Sequence, residues 1–300
     1  MPRTVSGKLP RAIRSQRSFA MIQFARRSIP RRLLRWAFLL FLTYLGLIVV
    51  FLFLERRLVF VPSSAEEAWL KPEDPRSEDV SFPSADGNTI SARWLPPETP
   101  RHGAVLFAHG NGGNLTHRGK VAAELRRALG AGVLLFDYPG YGKSTGKPTE
   151  AGCYASATAA YQWLVEEKQI APNRVVLYGE SLGGGPAVEL ATKHEHRALV
   201  LVFTFTSLPA AAKSHYPFLP THTFMRTRFD NLAKIGRCPR PVFIVHGADD
   251  RTIPVAHSDQ LFAAAHEPKQ FLRLDGKGHD PFIVGLYSTE LAKFLDRHAP

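Results

Sequence analysis

Cysteine is nearly absent: Cys153 and Cys238 are the only two in 300 residues. Two lone thiols make neither a disulfide framework nor a cysteine-based zinc site, so both read as packing residues. Acidic residues are missing from the start of the chain. None precedes Glu55, whereas residues 1–35 hold ten Lys or Arg. The net charge is +12, yet outside that tail 28 basic residues face 26 acidic ones, which leaves +2. A nucleic-acid-binding domain carries its positive charge on the fold itself, so the sequence argues against a nucleic-acid partner. Internal repeats and low-complexity segments are also lacking beyond this basic tail.

Charge of either sign is absent from Trp36 to Leu54, a run of 19 residues dominated by Leu, Phe, Val and Ile. As a helix it spans about 28 Å, close to a hydrocarbon core. No polar residue marks an inner face, which favours a membrane helix over a buried core helix. A cleaved signal peptide is the rival, but no small-x-small site follows the run, so an uncleaved anchor is expected. Every basic residue of the tail precedes the run, which places the N-terminus in the cytoplasm and the chain from Glu55 on the periplasmic or lumenal side. The tail itself is expected to be disordered or to lie on an anionic membrane face. The expected organisation is a basic tail over 1–35, an anchor over 36–54, a linker over 55–78 and a folded domain over 79–300.

Within that domain a rhythm of strand, loop and helix begins. Val80–Phe82 and Thr89–Leu95 flank an Asp86-Gly87 turn. Continuous apolar runs then alternate with helical stretches: strands at Ala104–Ala108, Gly132–Phe136, Arg174–Tyr178, Leu199–Phe203, Val242–Val245 and Phe271–Leu274. Such runs predict a mostly parallel sheet covered on both faces, an α/β architecture. Between them, helices are expected over His117–Leu129, Ala151–Lys168, Pro186–Lys193 and Ala256–His266, with a closing helix over Phe282–Arg297. Residues 204–240 break the rhythm with Phe205, Tyr216, Phe218 and Met225 among prolines. They form either a small apolar cap beside the site or a packing unit without a substrate role.

Gly179-Glu180-Ser181-Leu182-Gly183 follows one of these strands and precedes a helix. A serine on so sharp a turn sits at strained backbone angles, and large side chains two residues either side would clash. The turn exposes the Ser181 hydroxyl and aims the Leu182 N–H where an oxyanion would form. A hydroxyl nucleophile needs a base, and the base an orienting acid. Two later strands end in His246-Gly247-Ala248-Asp249-Asp250-Arg251-Thr252-Ile253-Pro254 and in Asp275-Gly276-Lys277-Gly278-His279-Asp280. His279 is the candidate base. The spacing H-G-x-x-D-x-x-[IV]-P selects Asp250 as the acid, with the adjacent Asp249 as the alternative. His246 reads as a structural residue, and His257, His266 and His298 as surface helix residues. The glycine-rich His109–Asn114 loop, with Asn111 N–H, supplies the second oxyanion donor. A phosphate cradle is the rival there, but no GK[ST] follows.

HGNGGN at 109–114, DYPGYGKSTG at 137–146, GESLGG at 179–184, HGADDRTIP at 246–254 and GKGHD at 276–280 together resemble the α/β-hydrolase fold. FTSL at 205–208, HYPFLP at 215–220 and RFDNLAKI at 228–235 narrow the resemblance to membrane-anchored α/β-hydrolase-domain serine hydrolases related to depalmitoylases and lysophospholipases. It covers residues 79–297 and not the basic tail. It implies Ser181 as nucleophile, Asp250 as acid, His279 as base and no cofactor or metal. The expected activity is hydrolysis of carboxylic esters or thioesters, and the anchor suggests a lipid-derived substrate. A peptidase or acyltransferase on the same triad, and a non-catalytic membrane-tethered binding protein, are the alternatives.

Overall fold

Alternation along each central strand builds the core. In Ala104–Ala108, Leu106 packs into one apolar layer while Val105 and Phe107 pack into the other; in Gly132–Phe136, Leu134 and Phe136 oppose Val133 and Leu135. Successive side chains of a strand point to opposite faces, so strands apolar at every position need cover on both sides. The computed structural model describes residues 30–72, 74–98 and 103–299, and it supplies that cover.

The chain runs as helix α1 (Arg31–Val59), strands β1 (Val61–Pro62), β2 (Glu78–Pro83), β3 (Thr89–Leu95), β4 (Ala104–Ala108) and β5 (Gly112–Gly113), and helix α2 (Gly119–Leu129). Next come β6 (Gly132–Phe136), α3 (Glu150–Glu166), β7 (Val175–Glu180), α4 (Gly184–Ala191) and β8 (Ala198–Val202). The insert carries α5 (Leu208–His215), α6 (Thr221–Phe224) and α7 (Leu232–Ile235); β9 (Val242–Gly247), α8 (Ala256–Ala264), β10 (Lys269–Leu274) and α9 (Ser288–His298) close the chain. Eight strands form one sheet in the order β10-β9-β8-β7-β4-β6-β3-β2. It is parallel from β10 to β6, and antiparallel where β3 meets β6 and β2 meets β3.

Two helices differ from the sequence-based expectation. The closing helix is broken: a 3-10 segment, Pro281–Leu286, precedes α9, with Ile283 off helical angles. The helix after the serine starts earlier, because Ser181–Gly183 already form a 3-10 turn leading into α4.

Among the described residues one helix, α1, is long and apolar enough to cross a bilayer, as a membrane anchor or as a signal sequence. The chain divides into two units after Leu47, so the last turns of α1 belong to the larger one. There Ile48 and Glu55 are buried and Phe51 and Val59 half-buried. Steps of three and four residues put them on one helical face. The segment expected to link anchor and domain is held closely. β1 pairs in parallel with β5, and Ser63 N–H donates to the Gly113 carbonyl at 3.0 Å. The basic tail, as far as residue 29, lies outside the described residues.

Candidate active site

Ser181 stands between the end of β7 and the start of α4 with φ +51°, in the left-handed region that side chains with a Cβ rarely adopt. The two flanking glycines are steric requirements. A Cβ at Gly179 would meet the Gly183 carbonyl oxygen at 2.6 Å, and one at Gly183 would meet the Ala108 carbonyl oxygen at 2.0 Å. The turn is therefore pressed against its own helix and against the end of β4. Thr204, just past β8, fixes it further by donating its hydroxyl to the Ser181 carbonyl at 2.8 Å.

Three loops at the carboxyl edge of the parallel strands bring Ser181, His279 and Asp250 together, the edge where such sheets bind ligands. His279 Nε2 lies 3.1 Å from Ser181 Oγ, and its Nδ1 lies 2.7 Å from Asp250 Oδ2. A carboxylate only accepts, so Nδ1 carries the proton and Nε2 offers its lone pair to the Ser181 hydroxyl. Asp250 Oδ1 accepts the N–H groups of Thr252 and Ile253 at 2.8 and 2.9 Å. Burial alone would raise the Asp250 pKa; hydrogen bonds from His246, His279 and Ile253 N–H outweigh it and hold the carboxyl far below the usual range. The adjacent Asp249 is exposed, so Asp250 is the aspartate that meets His279.

His246 is buried and structural. Its Nε2 is 2.7 Å from the Ile253 carbonyl and 3.1 Å from Asp250 Oδ2, and its Nδ1 is 2.7 Å from Ser258 Oγ. Both neighbours of Nε2 are acceptors, so that nitrogen carries the proton and Ser258 donates to Nδ1. His257 corrects the expectation of a surface histidine: it is 6% exposed, with Nδ1 2.9 Å from Thr206 Oγ1. Burial, and then His246, lower its pKa.

The His109–Asn114 loop is braced from beneath. His109 is fully buried, Nε2 3.2 Å from Asp137 Oδ1 and Nδ1 2.7 Å from the Gly110 carbonyl. Asp137 Oδ1 also accepts Leu115 N–H at 2.7 Å, and Tyr138 donates its hydroxyl to the His109 carbonyl at 2.6 Å. The Asn111 side chain turns away to accept from Tyr141 at 2.9 Å and from Val61 N–H at 3.1 Å. Asn111 and Leu182 line the same cavity as Ser181.

Sequence reasoning missed two supports. Glu180, the variable residue before the serine, is buried and accepts from Arg118 Nε at 2.9 Å. Phe203, also at positive φ (+52°), sets its ring 5.6 Å from that of His279. The only hint of Glu180 was a charged residue ending an apolar strand.

The cavity over Ser181 has a volume of about 510 Å³. The insert supplies much of its lining through Phe205, Leu208, Ala211 and Met225, which fits the cap alternative. Among the described residues no group of three His, Cys, Asp or Glu side chains is arranged to hold a metal ion.

A sequence profile of the α/β-hydrolase fold matches residues 103–223. An uncharacterised protein of Mycobacterium tuberculosis is 35% identical over 232 residues, covering 77% of this chain and 82% of its own. Human alpha/beta hydrolase domain-containing protein 17B is 33% identical over 189 residues, covering 62% of this chain and 64% of its own. The structure of a Pyrococcus furiosus esterase superposes with a TM-score of 0.64 at 17% identity, over 81% of this chain and 98% of the esterase. That likeness concerns the fold. Strand order, serine elbow and sequence relatives agree: the chain belongs to the α/β-hydrolase superfamily and, within it, resembles the domain-containing 17B proteins.

Proposed function

We propose that the protein is a membrane-anchored serine hydrolase that cleaves carboxylic esters or thioesters. The observation that carries this reading is the Ser181–His279–Asp250 relay, at 3.1 and 2.7 Å. His279 Nε2 takes the Ser181 proton as Oγ attacks the acyl carbon. Asp250 holds the ring in the right tautomer and stabilises the imidazolium that forms. The Asn111 and Leu182 N–H groups receive the developing oxyanion. The protonated His279 then gives its proton to the leaving alkoxide or thiolate, and an acyl-Ser181 ester remains. Water, deprotonated by the same imidazole, releases the acid and restores the serine.

The anchor is the apolar run Trp36–Leu54 of α1, whose turns from Ile48 onward belong to the folded unit, with the tail 1–35 in the cytoplasm and the hydrolase domain, 79–300 with its insert 204–240, on the other side. Residues 55–78 join the two. Ten Lys or Arg among the 35 residues before the anchor, and none within it, support this orientation.

A fluorophosphonate probe tests the chemistry: the full-length chain is expected to label, and Ser181→Ala to abolish the label. Persistent labelling of that variant overturns the assignment. In a bacterial host, a C-terminal alkaline phosphatase fusion is expected to be active. An inactive fusion beside an active cytoplasmic reporter reverses the topology.

A further inference from the structure

A helix end that only tethers a domain has no reason to bury a carboxyl group. α1 buries Glu55, which is 4% exposed. Such burial is unfavourable unless hydrogen bonds replace the lost water. Glu55 accepts the Arg226 N–H at 3.0 and 3.2 Å and the Thr227 N–H at 2.7 Å. Both amides follow α6 in the insert. Just beyond the helix, Val61 N–H donates to Asn111 Oδ1, and β1 pairs with β5 within the candidate oxyanion loop. The chain around Leu58 and Val59 is thus fastened at two points, to the insert and to the loop that bears Asn111.

Between those fastenings, Phe51, Leu58 and Val59 line the cavity that holds Ser181 and Leu182, as do Leu208 and Met225 of the insert. Leu58 lines the cavity while 57% exposed, so it stands at the mouth. Phe51 belongs to the uncharged run and lies about 6 Å along the helix axis from Glu55.

We infer that the last turns of α1 are a wall of the substrate cavity, on which Phe51 and Leu58 select the length of an aliphatic acyl chain. This rests on the serine-hydrolase reading above. The substrate class is an ester or thioester with an extended aliphatic acyl group, whose chain lies against α1 and leaves its carbonyl at Ser181. Glu55 is a positioning residue: it holds this wall to the insert and does not touch the acyl group.

The test uses the full-length chain in detergent micelles, with p-nitrophenyl butyrate and p-nitrophenyl dodecanoate as probes. Its readout is the ratio of kcat/KM for the long ester to that for the short one. Leu58→Trp narrows the mouth and is expected to lower this ratio about tenfold, a change typical of steric selection in an apolar pocket. Phe51→Ala, which only removes atoms, lengthens the cavity and moves the ratio the other way; it serves where Leu58→Trp fails to fold. Glu55→Ala shifts the ratio toward that of an enzyme without chain-length preference, and Glu55→Gln, which keeps an acceptor oxygen, restores part of it. A ratio unmoved within about twofold in all the folded variants overturns the wall. If the wild type still hydrolyses butyrate in that case, the serine-hydrolase reading stands. A wild type that turns over neither ester and takes no fluorophosphonate defeats that reading, and the wall with it.

Discussion

Two buried carboxyl groups, Asp250 in the loop after β9 and Glu55 in the last turns of α1, look alike and do different things. Each accepts two backbone N–H groups, Thr252 and Ile253 for Asp250, Arg226 and Thr227 for Glu55. The difference lies in what the second oxygen meets. Asp250 gives Oδ1 to the amides and keeps Oδ2 for His279 and His246. Glu55 gives both oxygens to the amides of the insert. A buried carboxylate that turns one oxygen to an imidazole orients a base; one whose oxygens meet only the backbone amides of another segment fastens two segments. Burial by itself does not separate catalysis from scaffolding, but the allocation of acceptor sites does.

The sharpest way to break this contrast is at Asp250. Asp250→Asn is expected to lower kcat for a p-nitrophenyl ester by about 10³- to 10⁴-fold, because the amide favours the wrong imidazole tautomer. The exposed neighbour is its control, and Asp249→Asn should stay within about twofold. A third carboxylate, Glu180, tests the scaffolding side. Arg118→Met leaves it buried without its guanidinium, and a loss of about 3–5 kcal/mol is expected in urea unfolding followed by circular dichroism. Glu55→Ala should cost less, about 1–3 kcal/mol in the same assay, because the amides it frees are near the surface turn of the insert.

A pH-dependent effect lies away from both carboxylates. His196 is buried against Cys238, Sγ to Nε2 3.6 Å, and burial, opposed by its bond to the His194 carbonyl, lowers its pKa to about 4. The unfolded chain binds its proton near pH 6.5 and the folded chain near 4, so the stability from a neutral His196 is complete above about pH 6.5. It is lost as the pH falls to about 4. His196→Gln should flatten unfolding free energy across that window; an unchanged slope contradicts the assignment.

Much of the α/β sheet was legible because its central strands, such as Ala104–Ala108 and Gly132–Phe136, are apolar at every position, the pattern of a sheet covered on both faces. The elbow was legible for a steric reason: Gly179 and Gly183 are places where a Cβ meets backbone. The spacing around His246 also selected Asp250 over Asp249, and burial of the one and exposure of the other give the physical ground. What escaped the sequence is long-range. Glu55 reads as the first charge after an apolar run, and nothing local says that its partners lie 171 and 172 positions away. Arg118 and Glu180, 62 residues apart, are invisible for the same reason. His257 looked like an exposed helix residue because helical periodicity does not reveal that Thr206 of the insert covers it. The closing helix breaks at Pro281–Leu286, where Asp280 caps Phe282 N–H at 2.9 Å and a short 3-10 segment forms.

In the proposed reaction Ser181 carries the acyl group. Rapid acid quench of the full-length chain during turnover of p-nitrophenyl dodecanoate, followed by peptide mass mapping, tests it most directly. A dodecanoyl increment is expected on the peptide containing Ser181, present in the wild type and absent in Ser181→Ala. Turnover with the increment on another residue, or an undiminished increment in Ser181→Ala, would contradict it.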